Sequence, residues 1–218
     1  MQKFWDSSVG KKIVMGLTGL VLIVFVIGHM AGNLQIFMGM ERYNAYAKLL
    51  QEDIIELTWG MRVALLVSVF LHVLSAWQLT QRAKAARPVQ YDVREVQVST
   101  YASRTMRWGG VYLFLFLVVH LAQFTLGWKV FLPEYVRGAA YGNVVLTFAK
   151  PAWVLFYLIA MYFLLWHLFH GCWAVLRTLG VAKNAAEPLQ RRIPVIIAVV
   201  VAVGFSLVPL GVMLGVVR

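Results

Sequence analysis

Apolar residues fill five stretches of this chain, near residues 13–38, 57–81, 108–131, 151–176 and 193–217, and the polar and charged residues collect between them. An α-helix needs roughly 20 apolar residues to cross about 30 Å of hydrocarbon. The pattern therefore predicts five transmembrane helices. They occupy so much of the chain that no separate soluble domain fits, which leaves one all-α membrane domain over residues 1–218. Pro151 and Pro194 stand where helices should start and a missing N–H costs nothing, whereas Pro209 should kink the last helix. Between the first two runs, Tyr43, Tyr46, Leu49 and Leu50 fall at near-helical spacing, so Gly39–Glu56 is expected to lie along the outer surface as a short amphipathic helix.

Composition agrees with this reading. The chain is 61% hydrophobic and 13% charged, against about 45–50% and about 25% in soluble domains. Its net charge of +11 would point to nucleic acid in a soluble protein. Here the cations flank apolar runs, so no nucleic-acid partner is expected and the charges read as topology signals and contacts to lipid headgroups. The N-terminal segment, the second loop and the fourth loop carry three, six and four cations, 13 of the 20. Cationic loops stay cytoplasmic, which puts the N-terminus inside and, after five spans, the C-terminus outside a bacterial-type cytoplasmic membrane. No cleaved signal peptide is expected, because the first run is too long for a signal core and no small-residue cleavage site follows it. The single cysteine, Cys172, excludes an internal disulfide and reads as a small packing residue.

All five histidines, His29, His72, His120, His167 and His170, lie inside apolar runs. Titratable rings are rare in hydrocarbon unless paired or functional. At 1.5 Å per residue, His29 and His120 lie roughly 24 and 20 Å from the inner ends of their helices, and His72 and His170 roughly 15 and 10 Å. His167 is one turn deeper than His170. Two levels result: His29 with His120 towards the outside, and His72 with His167 or His170 towards the inside. Two haems, each held by imidazoles from two helices, would use this arrangement fully, since neutral imidazole suits iron and helix bundles build cofactor sites from facing side chains. The last helix supplies no ligand and serves as packing. The competing reading is a cofactor-free transporter whose histidines relay protons or bond neighbouring helices.

Other residues fit around that frame. Gly28, Gly32, Gly127 and Gly171 would let a flat macrocycle or another backbone come close. Arg104, Arg107, Arg177 and Lys183 offer cations for haem propionates at the inner level. Trp5, Trp59, Trp108, Trp128 and Trp153, close to helix ends, form an interfacial belt.

Thr18-Gly19-Leu20, Phe25-Val26-Ile27-Gly28-His29-Met30 and His170-Gly171 followed by Arg177 resemble motifs of one family. It comprises the dihaem cytochrome b anchors of succinate dehydrogenases and quinol:fumarate reductases that have one large membrane subunit. The resemblance implies that His29 and His120 bind the distal haem and that His72 and His170 bind the proximal one, leaving His167 spare. It implies docking of a flavoprotein subunit and an iron–sulfur subunit on the cytoplasmic face, with electrons exchanged with membrane quinone through the two haems. One branch of the family carries a glutamate two residues before the fourth-helix ligand. Leu168 stands there instead, which speaks against that branch's proton transfer.

Quinone candidates are Gln51, Glu52, Asp53 and Glu56 on the outer side and, by likeness to related anchors, Ser8 and Lys12 on the inner. An electron moving outward runs down a potential that is positive outside, gaining about 2.3 kcal/mol per 100 mV, which would assist succinate oxidation by a low-potential quinone such as menaquinone. A cytochrome b of a hydrogenase or formate dehydrogenase is the neighbouring alternative.

Overall fold

The computed structural model describes residues 2–86, 101–181 and 188–218. Among them no strand occurs, and five helices are long and apolar enough to cross a membrane. A short helix, α1 (Gln2–Asp6), leads into the first of these, α2 (Ser8–Leu34). Ser7 separates the two and caps α2: its Oγ accepts the amide proton of Gly10 at 2.8 Å, satisfying one of the free donors of a helix start. The other long helices are α4 (Ile55–Ala85), α5 (Tyr101–His120), α7 (Pro151–Thr178) and α8 (Pro188–Met213). Their outer faces carry bare apolar side chains, Val24, Leu66, Phe70, Leu115 and Leu155 among them, as a lipid-facing surface requires.

Helix ends depart from the sequence reading in three places. First, α5 starts seven residues early and stops at His120, where a π turn, Leu121–Thr125, takes over. Second, α8 starts at Pro188, so Pro194 sits inside the helix and removes a rung of its ladder, as Pro209 does. The last helix ends at Met213, because Gly215 turns the chain with φ +73°. Third, the loop between the third and fourth spans contains a helix that no apolar run announces, α6 (Ala140–Phe148). The expected surface helix is present as α3 (Met40–Lys48), followed by a π turn, Leu49–Asp53.

Successive long helices alternate in direction. α2 packs on α4 with Lys11 beside Gln78 and Met15 beside His72, and α5 packs on α7 with His120 beside Tyr157. α2 also touches α7, and α8 closes the bundle against both. The bundle is thus two helix pairs joined along α2 and α7. Between α4 and α5 lies an apolar cavity of about 260 Å³ lined by Val69, Phe70, Val73, Leu74, Trp77 and Phe114.

The buried apolar side chains are not spread evenly. One cluster sits at the end bearing α3 and α6, with Ile36, Tyr43, Tyr141, Phe148, Tyr157 and Val212 among its members. A smaller one, Met30, Leu168, Ala198 and Val201, lies between α2, α7 and α8. We call the end with α3 and α6 the far end and the end with the N-terminus the near end. Cys172 is buried, as its packing role requires.

Candidate functional site: two histidine pairs in the bundle

The histidines come together in pairs. At the far level the rings of His29, from α2, and His120, from α5, have centres 5.9 Å apart at an interplanar angle of 77°. At the near level the rings of His72, from α4, and His167, from α7, have centres 6.2 Å apart at 55°. Each pair joins one helix of the α2–α4 couple to one of the α5–α7 couple. His170 is on α7 one turn from His167, within electrostatic reach of it, and is the less enclosed of the two. Among the described residues it is His167, and not His170, whose ring faces His72. Residues three apart on a helix point about 60° apart, and the rotation of α7 against α4 selects the first.

The rings are held differently. Tyr157 Oη donates to Gln123 Oε1 at 2.9 Å, and an amide oxygen can only accept. With its one proton committed, the phenol oxygen accepts from His120 Nδ1 at 3.2 Å. His120 is therefore protonated on Nδ1, and its Nε2 lone pair is free. His72 reaches the same state more simply: its Nδ1 lies 3.1 Å from the Met15 carbonyl, an acceptor only, with Thr18 Oγ1 at 3.4 Å. Around His29 the polar group is Asn33, whose Nδ2 donates to the His29 carbonyl at 2.8 Å and lies 3.4 Å from both ring nitrogens. Tyr43 donates to Asn33 Oδ1 at 3.3 Å. Its phenol lies outside the spans and is pushed up to about 12, by burial first and by Tyr46 second, so it stays a donor at neutral pH. Phe25 stacks on His29 at 5.3 Å and Phe205 flanks it at 5.6 Å. His167 Nδ1 is buried and has no hydrogen-bond partner among the described residues.

No three side chains of His, Cys, Asp or Glu among the described residues converge on one point. The site is a matter of pairs. The spacing fits one metal between two rings: an imidazole nitrogen sits about 2 Å from a first-row metal, and each ring centre lies roughly an ångström further back. Opposed ligands on one iron thus have ring centres about 6 Å apart. The two observed separations, 5.9 and 6.2 Å, lie on either side of that value.

The remaining candidates separate into those near the pairs and those remote from them. Gln51, Glu52, Asp53 and Glu56 are exposed, and Glu52 lies 4.0 Å from Lys48. Arg104, Arg107 and Arg177 are exposed at the near end, and Lys183 lies outside the described residues. Ser8 Oγ accepts from Arg82 Nη1 at 3.4 Å, and Lys12 is exposed. The buried cation is its neighbour Lys11, only 3% exposed, whose Nζ donates to Gln78 Oε1 at 2.5 Å and lies over the Trp5 ring. It lies one turn before Met15 on α2, nearer the N-terminus than the near pair. Two adjacent lysines gave no signal to choose between them.

Of the glycines singled out above, Gly28 and Gly171 leave open space and the other two face tyrosine rings. A Cβ on Gly28 or Gly171 would meet no protein atom within 4 Å; Gly32 makes room for the Tyr46 ring, and Gly127 (φ +64°) turns the chain under Tyr135. Two glycines lie against histidines: a Cβ on Gly19 would sit 3.3 Å from His72 Cε1, and one on Gly110 would sit 4.0 Å from His167 Cε1.

Fold and site together define a class: a five-span helical membrane protein with paired imidazoles at two depths. Residues 83–208, more than half of the chain, match the family described as succinate dehydrogenase/fumarate reductase transmembrane subunit. The chain belongs to that family. The matched stretch contains His120, His167 and His170 and ends short of His29 and His72. No curated protein and no solved structure gives a significant match to the chain.

Proposed function

We propose that this subunit anchors a succinate dehydrogenase or fumarate reductase and relays electrons between its iron–sulfur subunit and membrane quinone. The observation that carries the reading is the pairing of four histidines at 5.9 and 6.2 Å on facing helices. His29 and His120 would hold one b haem, and His72 and His167 the other. Bound there, the haems supply one-electron transfer along the axis of the bundle.

The chain's own residues do the rest. Metal-ligating histidines characteristically give their second N–H to a carbonyl or another oxygen, which fixes tautomer and ring direction. Tyr157 does this for His120 and Met15 for His72. His167 differs from these two, because its Nδ1 is buried with no acceptor among the described residues. His170, the ligand implied by the family motif, becomes a neighbour within reach of the near macrocycle. A haem would call for two protein ligands at each level, the number that each pair offers. The proton-relay alternative has no comparable support, since the hydrogen-bond run behind His120 ends on a backbone carbonyl rather than at an exposed acid.

Lys11, buried on the near side of the bundle, would suit a propionate better than the exposed Arg104, Arg107 and Arg177. Quinone would meet either the polar far-end group of Asn33 and Tyr43 or the near-end group of Ser8, Lys11 and Lys12. The exposed Gln51, Glu52 and Asp53 are less suited, because a quinone head needs partners at the edge of hydrocarbon. On the loop charges we read the N-terminus as cytoplasmic, and the flavoprotein and iron–sulfur subunits would dock on that side.

The test is purification of the intact complex from haem-replete membranes. Co-purifying flavin, together with a reduced-minus-oxidised b-type spectrum at two haems per anchor, is expected. A colourless anchor would overturn the haem reading. A coloured anchor with no flavoprotein partner would favour a hydrogenase or formate dehydrogenase cytochrome instead.

A further inference from the structure

Behind His120 runs a set of hydrogen bonds whose direction can be read link by link. Thr147 Oγ1 lies 2.7 Å from the Asn143 carbonyl. A carbonyl only accepts, so the threonine proton points there. The threonine oxygen then accepts from Gln123 Nε2 at 3.4 Å. That fixes which end of the amide faces Tyr157, and Gln123 Oε1 accepts the phenol proton at 2.9 Å. The phenol oxygen is left to accept from His120 Nδ1. Asn143 is itself clamped, its side chain bonding both the carbonyl and the amide of Val136, at 2.7 and 3.0 Å. Gln123 and Thr147 are fully buried.

Two irregular pieces of backbone make this run. The π turn after His120, closed by the Leu126 amide on the Leu121 carbonyl at 2.8 Å, carries Gln123. The helix α6, inserted between two membrane spans, carries Asn143 and Thr147. π turns inside helices occur frequently at functional sites, and a chain of polarised hydrogen bonds strengthens each of its members.

We propose that Tyr157 is the positioning residue of the far pair, holding His120 as the Nδ1-protonated tautomer so that its Nε2 faces the metal. Through Gln123 it also sets how strongly that ring donates to iron. The inference rests on the haem reading above. A ring whose N–H is drawn towards an acceptor donates more to iron and favours the ferric state. Loss of the acceptor therefore moves the far haem to higher potential.

The experiment is redox titration of the purified complex carrying Tyr157→Phe or Gln123→Leu. Tyr157→Phe should retain two haems and raise the far potential by about 30 to 60 mV, a threefold to tenfold change in the oxidised-to-reduced ratio for one electron. The near potential should not move. Gln123→Leu should give a smaller shift of the same sign, and Gln123→Glu, which keeps an acceptor for the phenol, should not raise the potential. A far haem at its wild-type potential in Tyr157→Phe would overturn the proposal. If that variant loses its haem, Gln123→Leu decides in the same way, an unmoved potential again being fatal. Wild-type protein without haem would sink the underlying reading as well, and is told apart by its colour before any variant is made.

Discussion

At the far end, His120 is backed by four consecutive hydrogen bonds and stands beside a cluster of buried aromatic and branched side chains. At the near end, His72 has one carbonyl and one distant hydroxyl, His167 Nδ1 has no partner among the described residues, and the cation Lys11 rests on a neutral amide and an indole face. The two ends contain the same motif, a pair of imidazoles about 6 Å apart, in opposite settings. A far pair held by protein on most sides should be stiff and preformed. A near pair with fewer hydrogen bonds behind it should depend more on whatever binds it, and on docked subunits.

The contrast can be broken from either side. The largest effect is expected from Phe148→Ala, which truncates a ring in the far cluster that meets Tyr157 edge-on at 4.9 Å. A buried phenylalanine reduced to alanine costs about 3–5 kcal/mol. Thermal unfolding in detergent should register the loss, and the spectrum of the near haem should survive below the transition. Gly19→Val should act at the other end, driving branched carbons into His72. We expect the near haem to be lost or its spectrum altered, with the far haem unchanged in pyridine-haemochrome and difference spectra. Equal damage to both haems would erase the distinction between the ends.

Lys11→Met is expected to cost less, about 1–3 kcal/mol for the amide left unpaired on Gln78. Removing a buried positive charge should also lower the near potential while leaving the far one in place, as redox titration can show. The smallest effect belongs to an exposed ion pair in the far loop, Lys150 Nζ to Glu134 Oε2 at 3.1 Å. The Glu134 carboxyl is held below its ordinary value, first by its own backbone amide and then by Lys150. Its contribution is therefore present above the ordinary carboxylate range and lost as pH falls through the lowered value. Glu134→Gln should lower the melting temperature slightly at pH 7 and make no difference once the pH is below the lowered value.

The five spans could be read from the sequence because an apolar run of membrane length admits little else. The grouping of histidines into two depths followed from counting residues along those runs. The choice between His167 and His170 could not be read that way, because it depends on the rotation of α7 against α4, which no spacing within one helix records. The buried lysine is Lys11 rather than Lys12 for a similar reason, since the rotation of α2 turns Lys11 towards Gln78 on α4. Helix α6 and Gln123 left no periodic trace. The first is nine residues of mixed polarity, and the second owes its place to a π turn that shifts the register after His120. Of the prolines, Pro151 starts a helix and Pro209 lies within the last one as expected, whereas Pro194 lies within a helix that starts six residues before it.

The most direct test is haem content in five single variants, His29→Ala, His72→Ala, His120→Ala, His167→Ala and His170→Ala, measured per anchor and assigned by potential. One haem is expected in each of the first four, the far haem lost with His29 or His120 and the near one with His72 or His167. Two haems are expected in the fifth. Two haems in His167→Ala with one in His170→Ala would contradict the near pairing, and unchanged haem content in His29→Ala and His120→Ala would contradict the account as a whole.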